Sequence, residues 1–192
     1  MTKQKVRCEW VADNELYQAY HDSEWGRPSY DDRHLFEMLI LEGAQAGLNW
    51  LTILKKREGY KKAFDNFDMR KMARYSPHKI EKLLENPEIV RNRLKVNAAV
   101  TNAKSALNIL KEYDSFSDYI WQFVNHKPIV NKWKVIADVP VTTTESDAMS
   151  KDLKKRGFKF VGSTICYAYM QAVGMVNDHT VNCFCYKQSK KN

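Results

Sequence analysis

The stretch from Thr144 to Gly174 constrains the chain most. Thr144-Glu145-Ser146-Asp147 fits a helix-opening capping box, with Asp in place of the usual Glu. A helix is expected from there through Ala148, Met149 and Leu153 to Arg156, stopped by Gly157. After Phe158-Lys159-Phe160-Val161, Gly162 opens a turn, and Ser163 and Thr164 are cap candidates. A second helix follows, from about Ile165 to Val173, ended by Gly174. Two helices joined by so tight a turn must lie back to back. The second starts with free amides and a positive dipole end, and Gly162 has no side chain to keep a phosphate away. Lys154, Lys155 and Lys159 surround the turn. An anion site that reads no base is one interpretation; an ordinary helix pair with a solvated basic face is the other.

Composition favours the first. Lys and Arg number 31 against 23 Asp and Glu, a net charge of +8, and aromatics make up 12% of the 192 residues. A basic, aromatic-rich chain suits polyanions, and nucleic acid above all. Disorder is excluded by the 44% hydrophobic content. No apolar run reaches the roughly 18 residues of a membrane span, and Met1-Thr2-Lys3-Gln4-Lys5 has no apolar stretch behind it, so a cytoplasmic protein is expected.

Helical spacing dominates elsewhere. Asp31 and Asp32 suit a helix start, with Leu35, Phe36, Leu39 and Ile40 on one face. Ser76-Pro77 opens another helix. Ala98 to Leu110 keeps the helical period, and Asp118 to Val124 is short and aromatic. Pro128 to Val141 reads as irregular, with short strands possible at Ile129-Val130 and Val139-Pro140-Val141. The fold class is all-α.

Glu42 falls seven residues after Leu35 and three after Leu39, on the apolar face of its helix. Burying a carboxylate unpaired is costly, so Glu42 either pairs with an Arg or faces a pocket. Gly43-Ala44-Gln45-Ala46-Gly47-Leu48 then turns sharply, and Asn49 can cap a helix opening with Trp50. Trp10, Tyr17, Tyr20 and Trp25 precede it. Aromatic rings around one carboxylate suit a flat, electron-poor or cationic ligand; taken singly, each ring is a core residue.

Of four cysteines, Cys166 reads as core. Cys8 and His21 lie near one end; His179 and Cys183 lie four apart near the other, on one face if helical. Two Cys and two His make a tetrahedral zinc set, which would tie the chain ends together. Cys185 is the alternative thiolate, though it would point off that helical face. A chance gathering of surface and core residues is the competing interpretation.

These segments also resemble the 3-methyladenine DNA glycosylase I family. The resemblance is carried by Cys8-Glu9-Trp10, Tyr20-His21-Asp22-Ser23-Glu24-Trp25-Gly26 and Leu41 through Trp50. Phe123-Val124-Asn125-His126, Lys154 through Gly162 and Val176-Asn177-Asp178-His179 carry the rest, so that it runs from Cys8 to Tyr186. It implies an all-helical helix-hairpin-helix glycosylase fold and hydrolytic release of 3-methyladenine from alkylated double-stranded DNA, with the enzyme a monomer. One helical domain over residues 1–186 is implied, with two lobes and the base pocket between them, and then a basic tail over 187–192. The resemblance assigns a structural zinc to Cys8, His21, His179 and Cys183. It gives Glu42 and Tyr20 hydrogen bonds to the extruded base, Trp50 stacking on it, and Trp10 and Tyr17 the pocket wall. Gly47 and Leu48 would fill the gap in the duplex, and the hairpin at Gly162, Ser163 and Thr164 would hold phosphates. Two features depart from the wider superfamily. Phe160 stands where the first Gly of a Gly-x-Gly hairpin is usual. Asp178 lies roughly where many relatives keep a catalytic Asp, but this branch resembles enzymes that do not rely on it. A non-catalytic zinc protein that binds damaged DNA, or a small-molecule enzyme, are the competing functions.

Overall fold

In a computed structural model, residues 5–187 are described. All but Lys187 of the expected basic tail lies outside them. Nine α-helices carry the described residues, joined by short 3-10 turns. They are α1 (Glu15–Ser23), α2 (Asp32–Gln45), α3 (Trp50–Ala63), α4 (Met69–Met72), α5 (Pro77–Glu85), α6 (Arg93–Ile109), α7 (Phe116–Trp121), α8 (Thr144–Lys155) and α9 (Ser163–Ala172).

Helix α2 is the hub. It packs against α3, α6, α7 and α9. Ten of its residues, Leu35 to Ala44, are buried in succession, so it is a central helix and not a one-faced surface helix. Asp31 caps it by accepting from the His34 N–H at 2.7 Å. Asp32, beside the cap, reaches across the fold. It accepts from the Phe116 and Ser117 N–H groups at 3.1 and 2.8 Å and so holds the start of α7. The expected openings at Asn49 and Ser76-Pro77 are as read. Helix α6 starts earlier than expected, at Arg93, because Asn92 supplies a cap.

Only one sheet contact occurs among the described residues. Strand β1 (Ile129–Val130) pairs in parallel with β2 (Val176–Asn177), Ile129 facing Val176. The strand considered at Val139-Pro140-Val141 does not form; a 3-10 turn at Ile136–Asp138 precedes it. The Phe184 N–H donates to the Val6 carbonyl at 2.9 Å, which brings the two ends of the chain together.

The hairpin between α8 and α9 has the expected outline, shifted by a residue at its start. Thr143, not Thr144, caps α8, and its capping-box partner is Ser146. Asp147 instead accepts from the Ser163 hydroxyl. Gly157 takes the left-handed φ of +92° that stops α8. Phe160 is also left-handed, at φ +55°. A bulky residue there costs on the order of 1–3 kcal/mol and persists only where its surroundings fix it. Here they do. The buried Asn102 amide of α6 accepts from the Lys159 N–H at 2.8 Å and donates to the Lys159 carbonyl at 3.0 Å. Ser150 of α8 donates to the Val161 carbonyl at 2.7 Å. Gly43 of α2 makes room for Phe160: a Cβ at Gly43 would lie 3.2 Å from the Phe160 Cβ. Asn102→Ala leaves the Lys159 N–H and C=O without this partner, and is expected to lower the unfolding free energy by roughly 2 kcal/mol in urea titration. Unchanged stability would mean that the hairpin does not need this clamp.

Candidate active site and metal cluster

Helices α1, α2, α3 and α9 enclose a cavity of about 260 Å³, lined by Trp10, Tyr20, Trp25, Glu42, Gln45, Trp50, Ile136, Ala168 and Gln171. It is small beside the ~300–1,000 Å³ of ordinary ligand pockets and suits one heterocycle. A second cavity, of about 210 Å³, shares Glu42, Gln45 and Ala168 and adds Gly47, Leu48, Thr164 and Ile165. Leu48, 42% exposed, therefore stands on the way from the surface to Glu42, beside the first turn of α9.

Glu42 is only 5% exposed, and among the described residues it makes no hydrogen bond or ion pair. Burial alone raises its carboxyl from the ordinary 4.5 to about 8. Glu37 on the same helix is as buried, yet it accepts from Arg57 Nε at 2.6 Å. The fold thus pairs one buried acid and leaves the other facing a cavity. Three buried donors around that cavity are also without partners: the Trp10 and Trp50 indole N–H groups and the Tyr20 hydroxyl. Burial holds the Tyr20 phenol well above its ordinary value, and the nearby Glu42 adds to this. A hydrogen-bonding ligand would satisfy this set.

The Tyr17 ring is not on the wall. Its hydroxyl oxygen accepts from the Leu51 N–H at 3.0 Å, and its ring stands edge-on to Trp10 at 5.5 Å. It braces the first turn of α3 and backs Trp10, while Tyr20, three residues on, lines the cavity. Trp25, named among the aromatic rings around Glu42, lines the cavity; Gln45, Ile136, Ala168 and Gln171 were not assigned to it from sequence. Ala168 and Gln171 share a face of α9, a signal in the helical spacing; Ile136 comes from an irregular loop and gave none. Asp178, 1% exposed, accepts from Asn131, Trp133, Tyr167 and Gln171 at 2.6–2.8 Å. Its lone pairs are committed to holding the 131–136 loop against α9.

The N–H groups of the first turn of α9 meet no side-chain cap, and a Cβ at Gly162 would touch nothing within 4 Å. Ser163 and Thr164 lie inside the helix, not before it. Lys154, Lys155 and Lys159 are exposed nearby. Gly47 has φ +74°, which turns the chain between α2 and α3.

His21, His179, Cys183 and Cys185 form a buried cluster whose ligand atoms lie within 4.8 Å of one another. This differs from the expected set by Cys185 in place of Cys8, and 178–187 is irregular, with turns from 181 onward, so the helical case considered for His179 and Cys183 does not arise. Turns let both Cys183 and Cys185 point inward, which a helix would forbid. Cys8, 2% exposed, adjoins through Cys183: hydrogen bonds from Cys185 and Cys8 push the Cys183 thiol far down. The donor set fits a metal ion. His179 donates through Nδ1 to Asn177 at 2.9 Å, and its Nε2 is a buried atom without a partner. His21 Nδ1 donates to Asp22 at 2.9 Å, and Arg7 holds that carboxylate with two bonds. Both rings therefore present Nε2 to the cluster, backed as metal-ligating histidines usually are. Cys183 Sγ lies 3.4 Å from His21 Nε2, whereas Cys185 Sγ lies 4.0 Å from the committed Nδ1. Trp25 stacks near His21 and lies edge-on to His179, so the cluster and the cavity share a wall.

Fold and cavity define a mostly helical protein with a helix-hairpin-helix and a small cavity lined by aromatic rings and one buried acid. The comparisons with known proteins agree. The model of the methyladenine glycosylase family matches residues 10–186. The DNA-3-methyladenine glycosylase 1 of Escherichia coli (strain K12) is 50% identical over 184 residues, 96% of this chain and 98% of that protein. A crystal structure of 3-methyladenine DNA glycosylase I superposes with a TM-score of 0.92 at 49% identity, covering 94% of this chain and 99% of that one. The Staphylococcus aureus enzyme, solved to give the structural basis of its 3-methyladenine recognition, is 38% identical with a TM-score of 0.91 over 97% of both chains. The chain belongs to the methyladenine glycosylase family.

A raised carboxyl in the fold costs stability wherever the unfolded chain would ionise it. Below pH 4.5 the cost is nil; it grows as pH rises toward about 8, and then levels. At pH 7 it is on the order of 3 kcal/mol. Glu42→Gln is therefore expected to melt higher than the parent at pH 7 and close to it near pH 4. Equal melting temperatures at both values would show that Glu42 ionises freely.

Proposed function

We propose that this chain is a monofunctional DNA-3-methyladenine glycosylase of base-excision repair, acting as a cytoplasmic monomer on alkylated double-stranded DNA. The observation that carries the reading is Glu42, buried, unpaired and facing a base-sized cavity whose other polar groups also lack partners. The relatives named above support the substrate. The reading takes residues 1–186 as one domain, with the base held between its two helical lobes.

A 3-methylated adenine in DNA is cationic, and its glycosidic bond is already weak. The enzyme must extrude the nucleotide, hold the base and admit water. Leu48, beside Gly47, would fill the vacated stack. Lys154, Lys155, Lys159 and the N–H groups of Gly162, Ser163 and Thr164 would hold the backbone phosphates. In the cavity Trp50 would stack on the cationic base, Tyr20 would donate to it, and Trp10 with Trp25 would close the wall. Glu42 would meet the positive charge as a carboxylate. Its proton is lost more readily once a cation sits beside it. Water adds its oxygen to the sugar carbon and gives up a proton as the carbon–nitrogen bond breaks. That bond's electron pair goes to the base, which leaves neutral, so a general acid is not required. Glu42 stabilises the cationic state electrostatically and does not attack the sugar.

Chromatography of bases released from methylated duplex DNA tests this. Glu42→Gln is expected to lower single-turnover release of 3-methyladenine by roughly 10- to 100-fold. Because the free carboxyl is protonated below about 8, kcat/KM should fall as pH drops through that value in the parent and stay flat in the variant. Full activity of the variant would defeat the assignment.

The buried cluster is proposed to hold a structural zinc on Cys8, His21, His179 and Cys183, a tetrahedral cross-link between the chain ends. Cys185, whose Sγ lies 4.0 Å from the committed His21 Nδ1, is left out of the set. Elemental analysis is expected to find about one zinc per parent chain. The metal should be lost with stability in Cys8→Ala and kept in Cys185→Ala. The reverse pattern would make Cys185 the fourth ligand.

A further inference from the structure

Lys95 has no place in the family-implied site, yet it reaches the loop that carries the wedge. From the first turn of α6 its Nζ donates to the Ala44 and Ala46 carbonyls, at 2.7 Å each. These carbonyls end α2, just before Gly47 and Leu48. No other side chain among the described residues hydrogen-bonds the backbone from Ala44 to Leu48. Gly47 adds no packing of its own, since even a Cβ there would meet nothing within 4 Å.

The position of Lys95 on its own helix points the same way. Its N–H donates to the Asn92 cap at 3.1 Å, so it sits in the opening turn of α6. The positive end of the helix dipole lies there, and a cation is disfavoured. The same charge is favoured at the negative end of α2, which is where Nζ lies. Lys95 therefore stabilises α2 and its loop at a small cost to α6. Its two bonds span 51 and 49 residues of sequence, from the helix that also clamps the hairpin through Asn102.

We propose that Lys95 is a positioning residue for base extrusion: it holds the Ala46-Gly47-Leu48 loop so that Leu48 projects as a rigid wedge. This rests on the glycosylase reading. A wedge fixed before DNA arrives need not be ordered at the moment the base leaves the stack, which lowers the entropic cost of that step. Lys95 itself is not among the lining residues of the cavity.

The test compares the parent, Lys95→Met and Lys95→Arg. A methylated strand is annealed to a matched complement or to one that mispairs every adenine, and single-turnover base release is followed. Mispaired bases need less help to leave the stack. Lys95→Met is expected to be slower by about tenfold on the matched duplex, the scale of one charged hydrogen bond, and close to the parent on the mispaired one. Lys95→Arg should recover part of the loss. Quenching of tryptophan fluorescence by free 3-methyladenine should be unchanged. Equal slowing on both duplexes, weakened binding of the free base, or no slowing at all would each overturn the proposal. If the parent releases no 3-methyladenine from either duplex, the glycosylase reading fails first, and the wedge with it.

Discussion

An acid buried without a partner is the constraint around which this molecule is arranged. Glu42 sits mid-fold on the most buried helix, where a leucine would pack and an ion pair would satisfy it. Five residues earlier Glu37 has that ion pair, so the helix can accommodate one. The difference lies in the surroundings. Glu37 faces Arg57 of α3, while Glu42 faces the cavity between α1, α3 and α9. Its energetic cost falls on the empty protein. Under the proposed function that cost would be relieved when a cationic, planar base enters, so burial would favour such a ligand before any hydrogen bond is counted.

The rest of the wall extends this logic. Three donors on Trp10, Tyr20 and Trp50 are shielded from water and unbonded, so each makes the unliganded cavity less stable than it would be apolar. Rigid support keeps them there. Helix α1 alone supplies Tyr20 to the cavity, His21 to the cysteine cluster and Tyr17 to the start of α3. A cross-link at the cluster would fix the orientation of the whole helix. Gly26 shows how tightly this corner is packed, since a Cβ there would lie 2.6 Å from the His179 ring. The cluster thus acts on the site through geometry, with Trp25 as the shared wall.

Much of this was legible in the sequence because it follows from local chemistry. Caps at Asp31, Asn49 and Ser76, the glycine stop at 157 and the acid on an apolar face are all set by neighbours within one or two turns. The Cys and His residues of the chain ends were also legible as a set. What was not legible depends on distant contacts. The run after Asp178 was considered as a helix; it is irregular, because Asn177 bonds His179 and the Tyr186 carbonyl while the Cys183 thiol reaches His21 at the other end of the chain. Tyr17 carries the pocket composition but packs behind Trp10, with its hydroxyl on the Leu51 N–H. Ile136 reaches the cavity from a loop whose path is set by Asp178 and its four donors. Sequence spacing has no access to such a path.

Asp178 is instructive for that reason. A buried carboxylate near a hairpin invites a catalytic role, but the hydrogen bonds of Asp178 point to a structural one. With Asn131, Trp133, Tyr167 and Gln171 all donating to it, both of its oxygens are occupied, and a water or a sugar would have to displace a donor to reach it. Glu42 is the opposite case: the same functional group, equally buried, with no donor at all. Two carboxylates in one small fold are driven to different tasks by what surrounds them. One holds a loop against α9, and the other is left open to whatever enters the cavity.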